Sequence, residues 1–199
     1  MSWSEYEKWS FSLTKDVFSH LQFLLYSAFL GLNNKALEVG TGTGLQSCFI
    51  SYFGIEVISI DNDAKVIKMA SRVSKYYKSK NVNYVVADAL HLPFRDKTFA
   101  VSFSQGLLEH LDNQTILGII SETKKVVVGR VLFSVPSINF PEQSFGNERL
   151  MYPWQWKAIL AQFNAKASYY KFDFQSIKNS LLAKKFPKPW HIQIEILSK

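Results

Sequence analysis

The sequence predicts an α/β fold, and three observations carry that reading. Residues 37–44 (Leu-Glu-Val-Gly-Thr-Gly-Thr-Gly) read as a short apolar strand that enters a glycine-rich turn and then a helix. Downstream, short apolar runs alternate with amphipathic helical patterns, the order that builds a sheet flanked by helices. The run at 55–60 is apolar nearly throughout, as strands buried on both faces of a parallel sheet are.

The 199 residues suffice for one domain with a full core. A hydrophobic share of 47% against 20% charged residues excludes a disordered chain. No apolar run reaches the ~20 residues of a membrane helix, and the N-terminus lacks a basic-then-apolar leader pattern. The expectation is therefore no membrane association. Cys48 is the only cysteine and the four histidines are scattered. This excludes an internal disulfide and a Cys/His metal cluster, and it fits a reducing, cytoplasmic compartment. The net charge of +7 is spread along the chain. That pattern favours solubility as its role, with a nucleic-acid partner as the second reading.

Taken in order, residues 3–30 carry apolar positions at Phe18, Leu21, Leu24, Leu25 and Phe29, a helical period. Gly31 and Asn33-Asn34 stop it. This segment is expected to lie over the glycine turn, with Tyr6 and Trp9 available to a bound ligand. Strand 36–39 enters the turn, where glycines at 40, 42 and 44 let the backbone approach a ligand without a Cβ in the way. Thr43 is expected to cap the following helix with Gln46 as its capping-box partner, which offers the turn's ligand a helix N-terminus. A phosphate-cradling loop needs Lys and then Ser or Thr after its last glycine, where Leu45 and Gln46 stand. A dinucleotide fingerprint needs a glycine in sixth place, where Leu45 or Ser47 stands.

Strand 55–60 ends at Asp61, 21 positions beyond Gly40. An acid there can accept two hydrogen bonds from a ribose diol. Asp63 is expected to cap the helix 63–80. Its buried face is Val66, Met69, Ala70, Val73 and Tyr77, and its outer face is Lys65, Lys68, Arg72, Lys75 and Lys78. Strand 82–86 leads to Asp88-Ala89. Strand 99–103 leads to Ser104-Gln105-Gly106 and then Leu-Leu-Glu-His-Leu at 107–111. Asn113 is expected to cap a helix to about residue 125. Strand 126–135 carries an interruption at Gly129-Arg130 and is ended by Pro136. After a polar loop at 137–147, Pro153 suits the first turn of a helix. Arg149, Tyr152 and Trp154 form a candidate substrate lid. Strands at 166–174 and 191–197 close the chain, with a basic segment at 178–188 between them.

Glu-x-Gly-x-Gly-x-Gly at 38–44, the acids at 61 and 88, and the Gly-Leu-Leu-Glu-His-Leu loop at 106–111 occur together in one order and spacing. Over about residues 35–135 this pattern resembles the class I S-adenosylmethionine-dependent methyltransferases of the small-molecule, methyltransferase-11-like type. The resemblance implies a Rossmann-like, doubly wound, mostly parallel seven-stranded sheet with an antiparallel C-terminal edge hairpin, in a three-layer α/β/α sandwich. Residues 1–34 would be a helical cap, 35–135 the cofactor-binding core, and 136–199 a variable substrate-side segment within one domain. The implied cofactor is S-adenosyl-L-methionine, with S-adenosyl-L-homocysteine as product. Its implied partners are Glu38, Gly40, Thr41, Gly42, Gly44, Asp61, Asn62, Asp88, Ala89, Ser104, Gln105 and Gly106. Asp88 would take the adenine's exocyclic amine, and the Ala89 N–H a ring nitrogen. The implied reaction is in-line displacement on the sulfonium methyl by an acceptor, foremost a small molecule. His110 would serve as a base, bond a substrate or tie the loop down. Tyr6, Trp9, Arg149, Tyr152 and Trp154 would face the acceptor. Several readings stay open: an RNA or protein methyltransferase, a non-catalytic binder of the same cofactor, and a nicotinamide dehydrogenase. The missing third glycine weighs against the dehydrogenase. Ser104-Gln105-Gly106-Leu107 stands where amino-methylating RNA enzymes carry an Asn/Asp-Pro-Pro-Tyr/Phe motif, which weighs against that activity. A monomer or a homodimer is expected.

Overall fold

A computed structural model describes residues 13–30, 35–141, 146–171 and 188–198, the first seven by backbone alone. Tyr6, Trp9, the Phe18 side chain and the basic segment 178–187 lie outside the described residues. Seven strands form one sheet: β1 (Lys35–Val39), β2 (Glu56–Asp61), β3 (Val82–Val86), β4 (Phe99–Gln105), β5 (Val127–Pro136), β6 (Lys166–Tyr169) and β7 (His191–Leu197). Their order is β3-β2-β1-β4-β5-β7-β6. The first five strands are parallel. β7 runs antiparallel to both neighbours and inserts between β5 and the edge strand β6. The expected doubly wound sheet and C-terminal hairpin are present. Chain order reverses between β1 and β4, so a crevice opens at their carboxyl ends.

Strand alternation explains the three layers. Leu37 and Val39 of β1 face one core with Phe99, Val131, Phe133, Ile192 and Ile194, covered by α4 (Asn113–Val126) and α5 (Pro153–Ile159). Ala36 faces the other core with Val57, Val101, Phe103 and Leu132, covered by α1 (Leu13–Leu30) and α2 (Leu45–Ser51). The helix α3 (Ala64–Tyr76) buries Val66, Met69 and Ala70 as expected, but Ser74 rather than Val73 is its fourth buried residue, and Tyr77, past its end, is half-buried. Asp63 caps it by accepting from the Lys65 amide at 2.7 Å. No helix among the described residues is long and apolar enough to cross a membrane.

Four details differ from expectation, each for a local reason. β4 runs two residues further than its apolar run, so Ser104 and Gln105 are strand residues paired to Phe133 and Ser134 rather than loop. The interruption in β5 is a bulge: Phe99 faces Val127, while Val101 faces Arg130. Gly129 permits it, because a Cβ there would sit 2.5 Å from the Ala100 carbonyl oxygen. Asp112, not Asn113, caps α4 and accepts from the Thr115 amide at 2.9 Å. α1 is kinked at His20. Its buried stripe is Phe23, Leu24, Ser27 and Ala28, and Phe29 is 61% exposed.

Candidate functional site

The turn after β1 is fixed from beneath. The amides of Gly40 and Thr41 both donate to the Ile60 carbonyl, at 2.9 and 3.0 Å. The Thr41 hydroxyl points inward to Ser59 Oγ at 2.8 Å. Ser59 Oγ donates to Glu38 Oε2 at 2.5 Å, and Ser47 Oγ of α2 donates to the same oxygen. Glu38 therefore joins β1, β2 and α2 under the turn. Its burial pushes the carboxyl up to about 7, against the two hydroxyls, which favour the charged form. Glu38 and Thr41, expected at the ligand, are brought to the scaffold behind it.

Gly44 also belongs to the scaffold. It caps α2 with φ +75°, and an added Cβ would lie 2.8 Å from both Ala70 Cβ and the Tyr84 hydroxyl. The expected Thr43–Gln46 capping box is absent. Because the left-handed residue starts the helix one position later, Thr43 Oγ1 accepts only a long 3.4 Å bond from the Leu45 amide. Gln46 instead donates to Gln105 across to β4, at 2.7 Å.

A cleft of about 560 Å³, open mouth included, lies along the carboxyl ends of β1, β2 and β3. Gly40 and Asp61, expected from the glycine turn and its spacing, and Asn62, Asp88 and Ala89, expected from the resemblance, line it. Val39, Ile60, Ala87, Leu90, Leu107, Leu111, Thr115 and Ile119 complete it. Apart from Leu107 and Leu111 of the 106–111 loop, the sequence does not single these out, and the apolar character of all but Thr115 does not distinguish them from core. Gly40 has φ +81°, and a Cβ there would meet the Leu107 side chain at 3.4 Å, filling the strip between turn and loop. Burial pushes the Asp61 carboxyl up, while the Asp63 and Gly42 amides pull it back. The Asp63 bond measures 3.0 Å. Asp88 stands at the rim. Its Oδ1 accepts from the Leu90 amide at 2.8 Å and its Oδ2 lies 3.1 Å from His91 Nδ1. These bonds hold its carboxyl below the usual range. Both oxygens thus already have local partners.

Toward β4 the expected residues separate. The Ser104 side chain is buried, and its hydroxyl has no hydrogen bond among the described residues. Gln105 is engaged by Gln46. Gly106 turns the chain and donates to the Ser134 carbonyl at 3.1 Å. His110 Nδ1 meets Asn147 Oδ1 at 2.8 Å, which ties the 108–110 turn to the following loop.

Its neighbour Glu109 went unpredicted and is 3% exposed. Oε1 lies 3.7 Å from the Cβ position of Gly106, and Oε2 has no hydrogen bond among the described residues. Burial, and then the charge of Glu148, push its carboxyl up to about 8. Arg149, a candidate lid residue, is held against the 108–113 segment. Its amide donates to the Glu109 carbonyl at 3.0 Å. Its guanidinium donates to Asn113 Oδ1 at 2.8 Å and lies 5.8 Å from the Trp156 ring. Tyr152 and Trp154 stack on each other with centroids 6.2 Å apart, are exposed, and are not among the residues that line the cleft.

Asp61 offers a carboxylate to paired hydroxyls, and Ala89, Leu90 and Ile119 offer apolar surface to a planar group. At Gly40 the backbone is uncovered by any Cβ beside the Leu107 side chain.

Residues 37–135 match the model of a family described as "Methyltransferase domain". A demethylmenaquinone methyltransferase of Thermobifida fusca (strain YX) is 34% identical over 91 residues, 45% of this chain and 39% of that protein. A probable tRNA methyltransferase 9B of Bos taurus is 27% identical over 128 residues, 63% of this chain and 26% of that protein. The alignments thus span well under half of either relative. The solved structure of a SAM-dependent methyltransferase from Aquifex aeolicus shares the fold, with a TM-score of 0.74 at 15% identity over 100% of both chains.

Proposed function

Since residues 37–135 are a methyltransferase domain of the class I S-adenosylmethionine-dependent family, we propose that the protein binds S-adenosylmethionine along this cleft and transfers its methyl group to a small molecule. The observation that carries the reading is Asp61: a largely buried carboxyl at the end of β2, facing an open cleft beside Gly40.

When bound, S-adenosylmethionine supplies a methyl group already activated on a sulfonium. Asp61 accepts the ribose hydroxyls, and Asn62 flanks them. Asp88 and Ala89 border the adenine at the rim. Gly40 and Leu107 hold the chain that carries the methyl, and Glu38, Thr41 and Gly44 keep the turn in shape beneath it. The residues need only hold an acceptor in line. Orientation of that kind is worth roughly 7–11 kcal/mol at best in model reactions. The lone cysteine supports a reducing, cytoplasmic location as part of this reading, and the protein acts in it as a monomer or homodimer.

Asp61→Ala is expected to weaken S-adenosylhomocysteine binding by roughly 10²-fold or more. Two hydrogen bonds to a charged group, at ~1.5–3 kcal/mol each, are lost. Isothermal titration reads this directly, with NAD as the competing ligand. Binding unchanged by the substitution, or a preference for NAD, would sink the reading.

A second reading has one observation in its favour. Lys65, Lys68, Arg72, Lys75 and Lys78 are all exposed along one side of α3 and the residues that follow it, and such a stripe attracts nucleic acid. Salt-dependent binding of a transfer RNA, lost on reversing Lys68 and Lys75, would favour an RNA acceptor over a small one.

A further inference from the structure

Between Asp63 and Asp88 the chain carries six cations (Lys65, Lys68, Arg72, Lys75, Lys78 and Lys80) and no acid. All six are exposed. The first four recur at steps of three and four residues, so they share one face of α3 and form a row about 15 Å long. The row begins beside the cleft, since Asp61 and Asn62 line the cleft and α3 starts at Ala64. It ends at two tyrosines. Tyr76, the last residue of α3, is 80% exposed. Its ring stands perpendicular to that of Tyr77, with centroids 5.0 Å apart. Arg72, Val73, Tyr76 and Tyr77 line an open hollow of about 780 Å³, mouth included. The hollow is fixed at its far end, because the Tyr52 hydroxyl donates to the Tyr77 carbonyl at 2.5 Å.

We propose that this face of α3 docks an unpaired segment of RNA, with a base stacked on Tyr76 and phosphates along Lys75, Arg72, Lys68 and Lys65. The charge part of the inference rests on the nucleic-acid reading above, and the aromatic hollow adds the form of the partner. A surface that serves solubility alone mixes both signs of charge, whereas residues 64–87 carry one sign only. A ring as exposed as Tyr76 adds little to the core, since stabilisation scales with the area removed from water.

A row of cations by itself accepts any polyanion. An open aromatic ring at its end asks for a flat π-face as well, and proteins that hold single strands combine these two contacts. Arg72 lies one turn before Tyr76 on the same face, so a phosphate held there sits next to the stacked base. A duplex keeps its base faces inside its own stack and offers the hollow nothing. RNA presents unstacked bases in loops, bulges and ends. An acidic peptide brings the charge without a series of flat rings.

The test uses the full chain and a fluorescein-labelled 12-nucleotide RNA of mixed sequence without self-pairing, read by anisotropy. The parent should bind this RNA, and should bind the same RNA annealed to its complement roughly 5-fold more weakly or worse. Tyr76→Ala should weaken single-strand binding roughly 10-fold, and Tyr76→Phe, which keeps the ring face, should bind as the parent does. Lys68→Gln combined with Lys75→Gln should make the fall of log K with log salt shallower by about 1.4, two phosphate contacts at roughly 0.7 each. Only exposed side chains change, so each variant should melt within about 2 °C of the parent. Three results would each overturn the proposal: no binding of the single strand, equal binding of the duplex, or indifference to Tyr76→Ala. If the last occurs while the lysine substitutions still act, the row is a general polyanion surface and the nucleic-acid reading stands without this one. Tighter binding to phosphatidylserine vesicles than to RNA, weakened by Tyr76→Ala, would assign the face to a lipid surface instead. None of these readouts involves S-adenosylmethionine, so the methyl-transfer reading stands or falls separately, on its own titration.

Discussion

In urea unfolding, Glu109→Gln is expected to remove most of the fall in stability that the parent protein shows between about pH 5 and about pH 8. Glu109 is 3% exposed, and its folded carboxyl is pushed from 4.5 up to about 8. Below 4.5 both folded and unfolded chains hold the proton, so the group contributes no pH dependence there. Between 4.5 and about 8 the folded chain keeps a proton that the unfolded chain has released, so folding is progressively disfavoured as pH rises. Above about 8 both are ionised and the full cost is present. At ~1.4 kcal/mol per pH unit the loss reaches about 5 kcal/mol. Glutamine carries no titrating proton and keeps the shape. Glu38 acts in the same direction, from 4.5 to about 7, and accounts for a residual slope of about 3 kcal/mol that ends near neutrality. The measurement is the urea midpoint of both proteins at three pH values. Parallel curves would mean that the Glu109 carboxyl is solvated in the folded chain.

The sequence reveals some parts of this molecule and hides others for physical reasons. The sheet order and the cleft depend on local chemistry: an apolar strand, a turn, then an amphipathic helix. Asp61 therefore closes β2 and Asp88 stands two residues beyond β3, both at the carboxyl ends of their strands. The glycine motif is less selective, because it encodes the turn's support as well as its ligand surface. Glu38, Thr41 and Gly44 carry that support, and nothing in their identities separates them from Gly40. Asp112 and Asn113 have equal capping strength, so only the backbone decides which of them caps α4. Glu109 is hidden because its burial depends on Glu148 and Arg149 folding over it from some 40 residues away.

Two alanine substitutions in one motif are expected to have opposite signatures. Gly44→Ala places a Cβ 2.8 Å from Ala70 Cβ and the Tyr84 hydroxyl, with Ala70 Cα at 3.2 Å, on a residue at φ +75°. The left-handed backbone costs about 1–2 kcal/mol and the crowding about 1–3. The sum, about 2–5 kcal/mol, lowers Tm by roughly 10 °C for a chain of this size. Gly40→Ala bears the same backbone cost at φ +81°, but its nearest neighbours are the ends of the Leu107 side chain at 3.4–3.6 Å, which turn aside. Its Tm should fall by roughly half as much or less. Affinity should rank the other way. The Cβ at position 40 stands in the cleft, so S-adenosylhomocysteine binding collapses, whereas folded Gly44→Ala keeps an unobstructed cleft and binds close to normally. Calorimetric binding well below both melting temperatures, beside thermal scans, separates the two. If both substitutions cost the same stability and the same affinity, the division of the motif into a supporting and a ligand-facing glycine is wrong.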